Sequence, residues 1–251
     1  HNIVVMSSGI TQLVAVGAQD QHIIGSPEIS FWRSTYKRHT NFAMGVQRQV
    51  MQGQPSAGSI SSIRVERKGD MLSYMYLTKA NGTPITMKSA EQEIEYIDLV
   101  IGGQLIDRHY TDYLVKARHL LANTSAKVNP QGLDWDSSEN EESTFSPFRF
   151  FFCEQWSMAL PLVALQYHDV ELRITWGIEA ASSKWEVYAN YAYLDTQERE
   201  VFASQPQNMI MTQVQKAISS NSKIQELNFN HPVKYIAAGD ASAVTMVSTA
   251  T

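Results

Sequence analysis

The chain of 251 residues holds one cysteine, Cys153, so it can close no intrachain disulfide and no zinc site built from several thiolates. Cys153 stands among Phe150, Phe151 and Phe152, where a buried, inert thiol is expected. Such sparing use of cysteine fits a reducing compartment. An apolar run of the roughly 18 residues that a membrane-crossing helix needs is also missing. The start, His1-Asn2-Ile3-Val4-Val5-Met6, has neither a charged leader nor a long apolar core and does not read as a signal peptide. A histidine at position 1 points to a processed, trimmed or partly represented N-terminus. There is no excess of positive charge. With a net charge of -5 and a pI near 5.8, a surface built mainly for nucleic acid is not expected. The basic clusters Arg33, Lys37, Arg38 and Arg64, Arg67, Lys68 are short and read as solvated faces.

What is present is apolar and aromatic. Hydrophobic residues make up 43% and charged residues 18%, the balance of a packed globular chain and not of a disordered one. From Val170, the residues Val170, Leu172, Ile174 and Trp176 share one face, and Glu171, Arg173 and Thr175 the other. That period of two predicts a half-buried antiparallel strand. Six further segments have strand character: 41–52, 59–67, 71–79, 93–101, 148–153 and 185–194. Turn residues separate them at Gly53-Gln54-Pro55, Lys68-Gly69-Asp70, Asn81-Gly82-Thr83-Pro84 and Gly102-Gly103. The pattern is all-β and reads as a sandwich. Phe150, Leu162, Leu165, Val170, Leu172, Ile174, Val187 and Tyr191 are the expected core. Short helices are expected near Ile10–Val16, from Thr111 to Leu121, and after Asp195, where Glu198 completes the spacing of a capping box. Residues 123–144 form a long polar, acidic excursion. After the Ser219-Ser220-Asn221-Ser222 linker, the stretch from Lys223 to Ile236 reads as a new strand.

Several segments carry a resemblance, in order along the chain. They are Gln12-Leu13-Val14-Ala15 with Gly17-Ala18-Gln19-Asp20, Gly25-Ser26-Pro27-Glu28-Ile29-Ser30-Phe31, and Tyr36-Lys37-Arg38-His39-Thr40-Asn41-Phe42-Ala43. Next come Arg67-Lys68-Gly69-Asp70, Ile101-Gly102-Gly103-Gln104-Leu105-Ile106-Asp107-Arg108-His109-Tyr110, and Ala159 to Val170. Tyr193-Leu194-Asp195-Thr196-Gln197-Glu198-Arg199 and Leu227-Asn228-Phe229-Asn230-His231-Pro232 complete the series. Together, over residues 9–236, they resemble signatures of the major capsid proteins of nucleocytoplasmic large DNA viruses, in the algal-virus and mimivirus-like branch. Val16, Gln21-His22 and Leu105 depart from the usual pattern.

The resemblance implies a double jelly roll, of which this chain would hold the first half and the start of the second. It implies residues 1–24 as an N-terminal arm, 25–215 as the first jelly-roll domain, and 216–251 as a linker and the beginning of a truncated second one. It further implies homotrimers of pseudo-hexagonal outline that tile an icosahedral shell in the virion, assembled in the host cytoplasm. Neighbouring capsomers and minor capsid proteins would be partners, and the arm would lie toward the inner viral membrane. No direct nucleic-acid contact and no small-molecule substrate follow from it.

The jelly-roll fold also hosts enzymes and lectins, so the residues must decide. No His-x-His pair occurs and no Gly-x-x-x-x-Gly-Lys loop, so no metal, cofactor or phosphate site is expected. Asp107 and His109 share a strand face and read as a satisfied structural pair. Cys153, His168 and Asp169 invite a nucleophile reading, but nothing near Cys153 would stabilise a thiolate, and no catalytic residue is expected. Asn81 and Asn123 match the N-glycosylation acceptor pattern. The alternatives to a major capsid protein are a minor capsid jelly-roll protein and a lectin-like glycan- or receptor-binding module. Trp135 and Trp156 are the aromatics a sugar would stack on, with core packing favoured for Trp156.

Overall fold

The computed structural model describes residues 8–80, 85–86, 93–111, 113–114, 142–143, 145–180, 185–218 and 224–236. They fall into two compact units, 1–39 and 40–251. The first unit contains helices α1 (Ser8–Val14) and α2 (Gln21–Ile24). Its residues whose burial is described are all exposed, including Phe31, Trp32 and Tyr36, so they form no core among themselves.

The second unit is built from strands β1 (Phe42–Gln49), β2 (Ile60–Arg64), β3 (Met71–Lys79), β4 (Ile85–Thr86), β5 (Ile94–Ile101) and β6 (Gln104–Tyr110). They are followed by β7 (Glu142–Ser143), β8 (Ser146–Pro147), β9 (Leu160–Pro161), β10 (Val170–Trp176), β11 (Trp185–Leu194) and helix α3 (Thr196–Ser204). One sheet runs β1-β11-β3-β8, with β9 also on β3. A second runs β2-β10-β5-β6, β4 and β7 form a separate pair, and every pairing is antiparallel. The chain alternates between the sheets as it goes, β1 to β2 to β3 to β5, then β8 and β9 to β10 to β11. That is the strand order of a jelly roll.

Alternation explains how the sheets close on each other. Val170, Leu172, Ile174 and Trp176 on β10 face Trp185, Val187, Ala189 and Tyr191 on β11, and all eight are buried. Seven of the eight expected core residues are buried, whereas Leu165 is half-buried on the turn before β10. The β5–β6 hairpin turns through Gly102 and Gly103, with φ of 59° and 82°. Two successive positive φ values belong to the tight turn whose twist matches the strands, and only glycine adopts them without strain. Pro161 sits on a two-residue edge strand, where no amide donor is needed.

Four expectations are corrected. Residues 148–153 are not a strand: Phe148, Phe150, Phe151 and Phe152 are all buried, and a 3-10 turn over Phe151–Cys153 lets consecutive rings enter one core. A strand would have sent every second ring to the opposite face. Residues 224–236 contain no strand: their bonds, such as Asn230 N to Gln215 Oε1 and Tyr235 OH to Tyr113 OH, run to side chains and form no backbone ladder. Trp156 is 71% exposed instead of packed, touching Phe42 edge-on with centroids 6.1 Å apart. Asp195 does cap α3, but it accepts from Thr196 N, and Glu198 accepts from Thr40 Oγ1 at 2.7 Å instead of closing a capping box. Thr111 is helical with Tyr113 and Leu114, yet its hydroxyl donates to Ile94 O at 2.5 Å and so ties the turn to β5.

Candidate functional site

The two sheets present very different outer faces. On the β1-β11-β3 face, register places Arg48, Tyr188 and Tyr76 in one row, Val46, Asn190 and Tyr74 in the next, then Met44 and Ala192, then Phe42 and Leu194. Phe42, Met44 and Val46 are 44%, 38% and 51% exposed. The inward positions of β1 are Gly45, Gln47 and Gln49, so this strand turns its apolar side to the outside. Tyr76 stacks on Tyr188 at 5.4 Å and 9°, and also meets Phe145. The charges in these rows are Arg48 and its partner Glu186, paired at 3.0 Å. At the centre, the Asn190 side-chain oxygen is buried without a hydrogen-bond partner. An orphaned buried acceptor costs about 1–3 kcal/mol.

The β2-β10-β5-β6 face is charged. Ser62, Arg173, Asp98 and Arg108 form one cross-strand row. Arg108 grips Asp98 with two hydrogen bonds of 2.6 and 2.8 Å and lies 4.1 Å from the Tyr96 ring centroid. The carboxylate raises the Arg108 pKa above its already high value. Arg173 pairs with Glu171 at 3.0 Å. These charges satisfy one another, with Asp98 buried beneath Arg108 and Arg173 open to water.

The quoted sequence signatures act as joints. Gly69 lies where any Cβ would come within 2.7 Å of Tyr191 Cβ. That close approach lets Tyr191 OH donate to Glu66 O at 2.5 Å. Asp70 accepts from Leu194 N at 2.8 Å and pairs with Arg199 at 2.9 Å, which fastens α3 to the start of β3. Arg67 donates to the carbonyls of Leu165, Gln166 and His168 and fixes the turn before β10. Lys79 and Glu93 form a buried ion pair at 2.8 Å, and Trp185 Nε1 donates to the other Glu93 oxygen at 2.9 Å.

Asp107 and His109 are brought together, both buried, at 2.8 Å. His168 is exposed beside Gly102, whereas Cys153 packs against the core beside the phenylalanine rings. Burial pushes the Cys153 thiol up to about 12, the opposite of an activated nucleophile. Among the described residues no group of three His, Cys, Asp or Glu side chains is placed to hold a metal ion. The acceptor asparagines Asn81 and Asn123, Trp135 and residues 123–141 of the acidic excursion lie outside the described residues, whereas Glu142–Ser143 pairs with Ile85–Thr86. The apolar outer face was not read from the sequence. The signal was in β1, where Phe42, Met44 and Val46 alternate against glycine and glutamine.

Residues 30–195 match the family model described as "Major capsid protein N-terminus". The chain is 34% identical to the major capsid protein of Paramecium bursaria Chlorella virus 1, over 92% of this chain and 60% of that protein. It is 35% identical to the major capsid protein of Pyramimonas orientalis virus, over 91% of this chain and 64% of the relative. Among solved structures, it resembles the quasi-atomic PBCV-1 virus capsid at a TM-score of 0.64 and 30% identity, over 81% of this chain and 57% of that one. The chain thus spans somewhat under two thirds of the length of these relatives.

Proposed function

From the premise that this chain belongs to the major capsid protein family, we propose that it is a structural shell subunit that works by assembling with copies of itself. The unit of assembly is a trimer of pseudo-hexagonal outline, and trimers tile the icosahedral shell of a large DNA virus. The observation that carries this reading is the family match over residues 30–195, which spans the whole run of jelly-roll strands. The apolar outer face supports it further, since a sheet face with Phe42, Met44 and Val46 in water is stabilised by burial at about 25 cal/mol per Å². We assign that face to contact with a second copy. Apolar rows carrying one ion pair match another such surface, not the charged outer face of the other sheet.

Residues 1–24 serve as the arm, 25–215 as the first jelly roll, and 216–251 as the linker and the opening of a second jelly roll. The arm faces the inner, membrane side of the shell, and minor capsid proteins join the trimers to each other. Assembly takes place in the host cytoplasm, and the protein has no catalytic residue and no cofactor. Asn81 and Asn123 are glycan acceptors, which mass spectrometry of glycopeptides tests directly.

Native mass spectrometry of the full protein tests the reading. Trimers that build regular sheets or shells support it, and a monomer through every particle preparation overturns it. One observation favours a second reading, a lectin-like module: Trp156 is 71% exposed and backed by Phe42. Saturable glycan binding that is lost in Trp156→Ala would establish that role.

A further inference from the structure

Strand β6 closes one side of the charged sheet, and edge strands are open templates for pairing with other chains. Its two inward positions, Asp107 and His109, are polar and only 2% and 1% exposed. Both oxygens of the Asp107 carboxylate are engaged. Oδ1 accepts from Arg108 N at 2.9 Å and from Val214 N at 3.0 Å, and Oδ2 meets His109 Nε2 at 2.8 Å. A carboxylate only accepts, so His109 Nε2 donates this bond, and the ring's other nitrogen is Nδ1. That nitrogen is buried with no partner, and the ring stacks on Phe150 at 4.5 Å.

Val214 belongs to the segment that leaves α3 and returns along β6. Gln213 Nε2 donates to Ile106 O at 2.8 Å, and Lys216 Nζ lies 4.3 Å from the Tyr110 ring centroid. Gln215 accepts from Asn230 N at 3.3 Å, and Tyr235 OH meets Tyr113 OH at 2.7 Å, so residues further on are held at the same edge. None of these contacts is a strand ladder. The segment lies across the edge by side-chain bonds, and its one buried anchor is Asp107.

We propose that Asp107 pins residues 213–216 as a strap across β6, closing that edge against strand pairing with a second copy of this chain. The edge-closing role rests on the homotypic assembly proposed above, whereas the pin itself does not. Asp107 is a positioning residue: held by His109 from inside the sandwich, it presents one oxygen to a backbone amide outside it. Assembly is then directed away from β6 and toward the apolar face.

Hydrogen exchange of the full protein, read by segment, tests the pin. In Gln213→Ala/Lys216→Ala, both exposed positions, and in Asp107→Ala, the strap should exchange at least tenfold faster while β10 stays protected. Asp107→Asn should restore most of the protection, because its amide oxygen still accepts from Val214 N and His109 can switch tautomer. Should Asp107→Ala fail to fold, the strap double variant decides alone. Unchanged strap exchange in a folded variant overturns the pin. Sedimentation of the strap variants should then show new concentration-dependent association at least tenfold stronger than wild type. Released straps without such association overturn the edge-closing role. A wild type that never assembles, with the strap protected, would sink the assembly reading and leave the pin standing.

Discussion

The outer faces of the two sheets are made from the same kind of strand and differ in what they do with charge. On β10 and its neighbours, every exposed cation has a carboxylate within reach, as in Arg173–Glu171 and Arg108–Asp98. An exposed pair such as Arg173–Glu171 contributes little to stability, about 0–1 kcal/mol, but paired charges make a sheet face unattractive to other apolar surfaces. On β1 and its neighbours, Phe42, Met44, Val46, Tyr76 and Tyr188 leave a face with one ion pair and an unpartnered Asn190 oxygen. A face intended for water is expected to look like the first, and a face intended for protein like the second.

The core shared by both faces sets the upper end of the scale. Leu172→Ala, at a fully buried position in β10, should cost about 2–5 kcal/mol of stability, seen as a drop in denaturant midpoint. A charge on the apolar face should act on association instead. Val46→Glu should leave the melting temperature within a few degrees of wild type yet weaken trimer formation by about tenfold or more in sedimentation, the scale expected for an uncompensated charge in an interface. On the charged face, Arg173→Ala should change stability by at most about 1 kcal/mol, read in the same denaturant titration, and leave association unchanged. If Arg173→Ala blocks assembly and Val46→Glu does not, the roles of the faces are reversed.

The smallest effect concerns Cys153. Its folded thiol is pushed up to about 12 from an ordinary value of 9.0, so between those values the unfolded chain loses the proton first. The stability linked to this group is therefore full below about 9 and declines as the pH rises toward about 12. Iodoacetamide at pH 8 should leave Cys153 unmodified in the folded protein and label it in denaturant, as checked by mass.

Strands β3, β10 and β11 could be read from the sequence because their buried positions alternate with solvated ones, and their bounds agree with the segments 71–79, 170–176 and 185–194. Strand β6 gave no such signal, since its inward residues are Asp107 and His109, which only a pairing partner makes acceptable inside. Strand β1 was visible as a strand, but its alternation would assign the wrong side to the core, because Gln49 is held inside by Tyr191 OH at 3.2 Å. Phe148 to Phe152 read as a strand by composition, whereas only a turn lets consecutive rings enter the same core. Trp156 read as core, although its neighbour Phe42 lies on the outer face. The family was legible because its signatures are the joints: Arg67, Gly69 and Asp70 hold the sandwich together through bonds that few other residue types can make.

The most direct test of the central claim is hydroxyl-radical footprinting of the full protein, compared between assembled and unassembled forms. Met44, Trp156 and Tyr188 on the apolar face should fall several-fold in oxidation rate on assembly, while Tyr96 and Tyr110 on the charged face keep theirs. Protection of Tyr96 and Tyr110 with Met44 and Tyr188 unchanged would contradict the assignment of the apolar face to assembly.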